Sequence, residues 1–202
     1  AFNLIITEKK LNMINPCRLV KKLKENSYKI RYLTIDEEKR LMEELSESLK
    51  PIVICALTTG LRLSNILNLR WESIDIEQNF IEILKQENKG HKQIRLPIAP
   101  KFKIELEKIG IKKEGYVFIN PATGEQYKTI KTGFKGALRR AGIKNFRFHD
   151  LRHTVGTRLV ANGADLITVK EFLAHSDIKT TQRYMHPTPE NMLNAIDILN
   201  NF

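Results

Sequence analysis

Residues 74–98 read IDIEQNFIEILKQENKGHKQIRLPI, and this stretch decides the fold class. Apolar side chains alternate with polar ones in three short runs, which is the period-2 pattern of half-buried β-strands. The runs begin at Ile74, Phe80 and Ile94, and the polar residues 86–92 join the second run to the third. The sequence therefore predicts three short antiparallel strands, the last two of which form a hairpin with a polar tip.

The sequence on both sides of this stretch carries helical signals. Residues 34–37, Thr-Ile-Asp-Glu, form a capping box, and leucines recur every four residues from Leu41 to Leu49. Pro51 suits the first turn of the next helix, which Gly60 would end. Further helices are predicted at residues 100–109, at about residues 129–141 and from His149 onward. The predicted fold class is α+β, mainly α-helical, with a small three-stranded antiparallel sheet.

The composition indicates one folded unit that attracts polyanions. The 202 residues include 42% hydrophobic side chains, which is enough for one sizeable core. Lys and Arg total 34 against 23 Asp and Glu, so the formal net charge is +11. Such an excess favours nucleic acid as a partner, with an anionic membrane surface as the alternative. Neither end of the chain is a strongly amphipathic basic helix, and no stretch is long and apolar enough to span a bilayer, so a cytoplasmic protein is expected.

The two cysteines predict neither a disulfide nor a metal site. Cys17 and Cys55 lie far apart and lack the paired spacing of metal ligands. Cys55 lies within the apolar run IVICAL, residues 52–57, so we expect a buried, reduced thiol.

Residues 148–153, FHDLRH, form the densest cluster of chemically active side chains. His149 and Arg152 are three residues apart and therefore share a helix face. His149 and His153 also have the spacing of two zinc ligands. Against zinc, Asp150 replaces the catalytic Glu of a metalloprotease helix, Arg152 adds a fixed positive charge, and no carboxylate is evident as the third ligand. Taken alone, the segment favours an ordinary helix with capped or buried histidines.

Three further motifs lie at a distance from this segment: TTGLR at residues 58–62, LAHS at residues 173–176, and Tyr184. Together the four resemble the tyrosine recombinase family of phage-type integrases. In that family Thr-Gly-Leu-Arg, His-x-Leu-Arg-His, Leu-Gly-His-Ser and a downstream Tyr occur in this order. Each motif is weak singly, but four in the right order are specific, and the resemblance extends from about Arg31 to the C-terminus.

The resemblance implies a catalytic set without a metal or cofactor. Its members are an arginine pair, two histidine positions, a hairpin lysine and a tyrosine nucleophile: Arg62, Arg152, His149, His175, Lys89 and Tyr184. Lys89 is the best match for the hairpin lysine, with Lys85 and Lys92 as competitors. His153 neighbours the site in the family pattern and is expected to be structural.

Elementary chemistry supports these residue types for phosphodiester exchange. Charge develops on the nonbridging phosphate oxygens, and the guanidiniums of Arg62 and Arg152 can hold it in a bidentate, permanently charged geometry. The phenol of Tyr184 has an ordinary pKa of about 10, so its attack at neutral pH needs a base or stabilisation of the phenolate. His149 is the candidate base or orienting group.

Two more residues complete the expected reaction. Lys89 would act as general acid and protonate the departing 5′-oxygen, and His175 would donate a hydrogen bond to a phosphate oxygen. Because the intermediate is a phosphodiester on Tyr184, a free 5′-hydroxyl can reseal the DNA without ATP. The resemblance adds that the intermediate is a 3′-phosphotyrosine and that strands are exchanged through a Holliday junction.

The resemblance also implies partners and domain organisation. The expected partners are double-stranded DNA, further copies of the chain in a tetrameric synapse and accessory DNA-bending proteins, at the nucleoid of a bacterial or phage-infected cell. Residues 1–30 are expected to be the end of a preceding DNA-clamping domain with its linker, and residues 31–202 the catalytic domain. Residues 187–202 would dock on a neighbouring protomer or on their own domain.

Several alternatives remain at this point. The same residues would serve a nicking and closing enzyme similar to type IB topoisomerases, and a metallohydrolase is a further candidate. A DNA-binding regulator that kept the fold and lost catalysis is another, although competent residues at all six positions argue against decay. Asn65 replaces a commonly acidic residue of the family, and Ala174 replaces a common Gly, which puts fine positioning in doubt.

Overall fold

The computed structural model describes residues 2–10, 15, 20, 31–83, 93–184 and 196. Helices are the main element in these residues: α1 Phe2–Glu8, α2 Ile35–Glu44, α3 Lys50–Thr59, α4 Leu63–Leu67, α5 Pro100–Ile109, α6 Lys131–Arg140, α7 His149–Ala161, α8 Leu166–Phe172 and α9 Ile178–Gln182. A short 3-10 helix, Trp71–Ser73, leads into a sheet of β1 Ile74–Asp75, β2 Phe80–Ile83 and β3 Ile94–Pro97. The predicted α+β class, mainly helical, is confirmed.

The sheet has the predicted antiparallel order β1-β2-β3. Ile81 at its centre pairs with Ile74 on one side and with Leu96 on the other. Ile81 and Ile83 are buried while Glu82 between them is exposed, which is the alternation that the sequence indicated. The hairpin tip, residues 84–92, lies outside the described residues, and with it Lys89 and its competitors.

The capping box at the start of α2 is confirmed, but the predicted leucine stripe is not one helix. The Thr34 side chain accepts from the Glu37 N–H, and the Glu37 carboxylate accepts from the Thr34 N–H. The helix ends at Glu44 because Leu45 has extended backbone (ψ 141°). Leu45 and Leu49 are nevertheless buried, since the turn between α2 and α3 keeps both against the core.

Helix α3 lies at the centre of the fold and packs against α5 and α7. Pro51 occupies its first turn, and Gly60 ends it with left-handed backbone (φ +64°), both as predicted. The Cys55 thiol is fully buried and free, and burial raises its pKa to about 12. The expected burial of this thiol is therefore confirmed.

The helical signal from His149 onward corresponds to three helices, α7, α8 and α9. Asp165 and Asp177 cap the N-termini of α8 and α9 through their side chains. Before these caps the chain turns at Gly163 (φ +85°) and at Ala174 (φ +48°). Helix α6 begins two residues later than predicted, and Gly142 (φ +69°) follows its end. After these turns α8 packs against α7, and α9 packs against α8.

Two predictions about the ends of the chain stay predictions. The division near residue 30 falls in a region where only residues 15 and 20 are described between residues 10 and 31. The segment 187–202 lies outside the described residues except for Ile196. Among the described helices, none combines the length and apolarity needed to cross a bilayer.

Candidate active site

The first half of α7 carries one wall of the site. His149, Arg152 and His153 occupy its first turns, where α7 meets the end of α3 and the turn after α8. Asp150 fixes the start of this helix, because its buried carboxylate accepts from the Arg147 N–H at 2.7 Å.

Arg152 joins two distant parts of the chain. Its side chain is buried (residue exposure 4%), Nη1 donates to the Gly60 carbonyl at 2.8 Å, and Nη2 donates to the Leu173 carbonyl. Burial and then the charge of Arg62 lower the Arg152 pKa to about 10, so the guanidinium remains charged at pH 7. The α3 end and the α8 end are therefore both bonded to one cation.

Arg62 follows directly from the turn that ends α3. It is the N-cap of α4 with extended backbone, and its Nη1 is buried without a hydrogen-bond partner among the described residues. A Cβ on Gly60 would lie 2.5 Å from Leu173 Cδ2, so glycine is needed for this turn to pack closely. A buried donor without an acceptor, beside a second arginine, is suited to an anion.

His175 lies at the far side of the same cluster. Its backbone N–H donates to the Lys170 carbonyl, in the turn where Ala174 has left-handed backbone. The ring is buried, and Nδ1 is 2.8 Å from Thr181 Oγ1. Burial, then the charges of Arg152 and Arg62, lower the His175 pKa to about 4, so the ring is neutral at pH 7.

Tyr184 packs into the cluster with only 5% of its surface exposed. Its hydroxyl is 3.0 Å from His153 Nδ1, and its ring lies nearly parallel to that of His175, with centroids 6.2 Å apart. The ring also lies directly against Gly156 on α7, where a Cβ would approach Cε2 and Cζ to 2.6 Å. Burial raises the Tyr184 pKa, and the charge of Arg152 opposes the shift.

His149 lies at the exposed edge of the cluster. Its ring meets that of His153 edge to face, with centroids 5.1 Å apart. Desolvation, followed by the charge of Arg152, lowers its pKa, which favours the neutral imidazole near pH 7.

Five of the six sequence-predicted residues thus lie in one cluster: Arg62, His149, Arg152, His175 and Tyr184. The sixth, Lys89, is outside the described residues. His153, expected to be structural, contacts the tyrosine hydroxyl directly. In the sequence, the position of His153 one helical turn after His149 placed both side chains on the same face of α7.

The zinc alternative lacks a ligand set in the part of the chain that the structure describes. There, no three His, Cys, Asp or Glu side chains are grouped as metal ligands would be. His149 and His153 contact each other through their rings, and His153 Nδ1 is taken by the Tyr184 hydroxyl.

Comparisons with known proteins agree over most of the chain. The Phage integrase family model matches residues 31–191. The integrase of Salmonella phage P22 is 32% identical over 92% of this chain and 51% of its own length. The tyrosine recombinase XerC of Thermodesulfovibrio yellowstonii is 30% identical over 91% of this chain and 67% of its own. The chain thus spans about half the length of the phage relative.

Solved structures show the same architecture. The catalytic domain of bacteriophage HP1 integrase is 26% identical, with a TM-score of 0.65 over 83% of this chain and 94% of that one. The Tn1549 transposon integrase, in complex with transposon right end DNA, is 16% identical, with a TM-score of 0.80 over 98% of this chain and 76% of that one.

Proposed function

Because this chain belongs to the phage integrase family, we propose that it breaks and rejoins DNA in site-specific recombination, with Tyr184 as the nucleophile. The observation that carries the proposal is the burial of Tyr184 in a cluster with two arginines, one of which has a buried Nη1 without a partner among the residues that the structure describes. Two cations beside the nucleophile favour an electrophile that carries negative charge, such as a phosphodiester.

The two arginines suit the phosphate of the scissile bond. Arg62 has a buried donor that no described residue accepts from, and Arg152 is held by two backbone carbonyls with its charge retained. Preorganised cations stabilise the charge that develops on the phosphorus oxygens as the tyrosine attacks. His175, neutral at pH 7, is proposed to donate its Nε2–H to a phosphate oxygen, a role that requires the Thr181 hydroxyl to donate to Nδ1.

The remaining roles concern the leaving group and the proton balance. Lys89 is proposed as the general acid that protonates the 5′-oxygen as the phosphorus–oxygen bond breaks, leaving a 3′-phosphotyrosine. His149, at the exposed edge, is proposed as an orienting group for the DNA strand. Resealing is the reverse reaction, in which a 5′-hydroxyl attacks the phosphotyrosine.

The proposed partner is double-stranded DNA. The net charge of +11 supports attraction to a polyanion, and structures of a related transposon integrase and of the recombinase XerH contain DNA. A tetrameric synapse with exchange through a Holliday junction, and accessory DNA-bending proteins, are proposed on the family relationship.

The test is a covalent adduct. The full chain is incubated with a nicked duplex that carries the end sequence of the element encoding it, and products are separated under denaturing conditions. We expect an adduct on Tyr184 that EDTA does not prevent, and its loss in Tyr184→Phe. The matched control is Tyr127→Phe, which removes a hydroxyl from another buried tyrosine and should leave the adduct intact. An adduct that persists in Tyr184→Phe would refute the assignment.

A topoisomerase-like activity is distinguished by the substrate. If the chain relaxed supercoiled DNA of any sequence at the same rate, site-specific recombination would be the wrong description although the chemistry would be the same.

A further inference from the structure

His153, which is not among the six proposed catalytic residues, contacts the hydroxyl of Tyr184 directly. Its Nδ1 is 3.0 Å from the Tyr184 hydroxyl oxygen, within hydrogen-bonding distance, and the two rings are inclined at 57° with centroids 5.8 Å apart. An inclined ring with its nitrogen at the hydroxyl is an arrangement for a hydrogen bond and not for stacking.

We propose that His153 is a catalytic residue that accepts the proton of the Tyr184 hydroxyl as this oxygen attacks the phosphodiester. The inference rests on the proposed function of Tyr184 as nucleophile. A general base must lie within hydrogen-bond reach of the proton that it removes, and His153 meets this condition before any DNA is bound.

The other two histidines of the cluster are less suited to this role. His175 faces the Tyr184 ring in a nearly parallel stack, and its Nδ1 is taken by Thr181. His149 contacts the ring of His153 and lies at the exposed edge. Among the histidines that the structure describes, His153 is thus the one whose nitrogen lies at the reacting oxygen.

The surroundings keep this pair in its neutral form at rest. His153 is affected by His149, Asp150 and Arg152 of its own helix and by Arg147 before it, while Tyr184 approaches from beyond α9. Desolvation, then His149, lowers the pKa of His153, and desolvation raises the pKa of Tyr184. The proton therefore stays on the phenol until a phosphate arrives, whose negative charge favours the imidazolium.

The atoms balance in both directions. In cleavage, the phenolic proton moves to His153 Nδ1, a bond forms between Tyr184 Oη and phosphorus, and the bond from phosphorus to the 5′-oxygen breaks. The 5′-oxygen takes a proton from the proposed general acid, Lys89. In resealing, the 5′-hydroxyl returns its proton to the lysine, and the departing phenolate takes the proton back from the His153 imidazolium.

The neighbouring helix residue explains how the geometry is kept. Gly156 is one turn after His153, and its missing side chain leaves the space that the Tyr184 ring fills. The tyrosine ring is thus seated on the same helix face that presents the histidine.

The test separates proton acceptance from positioning. His153→Asn keeps an acceptor near the place of Nδ1 but cannot become a cation in this pH range. With the nicked duplex described above, we expect single-turnover cleavage to fall about 10²-fold to 10³-fold. The wild-type rate should fall in acid as His153 is protonated, and this limb should be absent in His153→Asn. Equal rates and pH profiles would overturn the inference.

A second variant covers a loss of fold. His153→Ala opens a space, and added imidazole should restore cleavage in proportion to the neutral imidazole present. Failure of imidazole to restore a folded variant, judged by unchanged thermal unfolding, would count against proton acceptance.

A substrate with sulfur in place of the bridging 5′-oxygen distinguishes the two proton transfers. Because a thiolate leaves without a general acid, Lys89→Ala should regain cleavage on this substrate while His153→Asn should not. Recovery of His153→Asn would assign the residue to the leaving group instead. If the wild-type chain formed no adduct, the proposed function would fail together with this inference, whereas wild-type activity in His153→Asn would remove this inference alone.

Discussion

Substitution of Gly156 by alanine should separate folding from catalysis. The added Cβ would lie 2.6 Å from Cε2 and Cζ of Tyr184, whereas carbon atoms pack comfortably at about 3.5 Å. The ring must therefore move by roughly 0.9 Å, the difference between these two distances. Its hydroxyl is attached to Cζ, so the reacting oxygen moves too. A misplacement of about 1 Å at a reacting group can reduce the rate about 100-fold.

The same substitution should affect stability much less. Alanine in a helix is favoured over glycine by about 0.8–1.0 kcal/mol, which offsets part of an overpacking cost of about 1–3 kcal/mol. We expect the free energy of unfolding to stay within about 2 kcal/mol of the wild type. Gly136→Ala on α6 is the stability reference, because its Cβ would meet only the end of the flexible Arg140 side chain, at 3.3 Å.

The assay measures two quantities on one preparation. Urea unfolding gives the stability, and single-turnover adduct formation on the nicked duplex gives the cleavage rate. The reasoning is refuted if Gly156→Ala is folded and cleaves at the wild-type rate. The reactivity of Tyr184 would then not depend on the packing of its ring against Gly156.

Three further outcomes are expected. Ala174→Gly should raise the free energy of unfolding by about 1 kcal/mol, because glycine removes the strain of a φ of +48°; a lower urea midpoint would contradict this. His175 has a folded-state pKa of about 4, below its ordinary value, so its contribution is complete above about pH 6.5 and is lost as the pH falls toward 4, by as much as about 3 kcal/mol. When unfolding is measured at several pH values, the free energy of unfolding should depend less steeply on pH in His175→Asn than in the wild type. An unchanged dependence would mean that a group other than His175 causes it. Arg62→Ala should reduce cleavage about 10²-fold to 10³-fold with little loss of stability, whereas Arg152→Ala should lose both, because it leaves the buried carbonyls of Gly60 and Leu173 unbonded.

The elements with strong local signals were predictable from the sequence. The capping box at Thr34, the proline and glycine that bound α3, and the alternation of β2 and β3 each depend on nearest neighbours, and each is found where expected. The end of α2 was not predictable, because the four-residue spacing of the leucines indicates which residues are buried and not where the helix ends. Burial continues through the turn after the helix.

The geometry of the site depends on contacts between distant residues. The contact of His153 with Tyr184 spans 31 positions, and the bond from Arg152 to Gly60 spans 92. Sequence motifs indicated which residues belong together, but no local pattern indicates which nitrogen meets which oxygen. Alanine itself does not indicate the left-handed backbone of Ala174, although the glycine that the family commonly has at this position is consistent with it.

The two hydrogen bonds that join Arg152 to the ends of α3 and α8 have an evolutionary consequence. A descendant that gave up strand cleavage and served only as a DNA-bound regulator would still require this arginine to hold its framework together. Its presence in a sequence is therefore weak evidence of an active recombinase. The buried Nη1 of Arg62 bonds to no described part of the protein, so the fold does not require this arginine. Substitution of Arg62 would therefore be an early sign that a descendant no longer cleaves DNA.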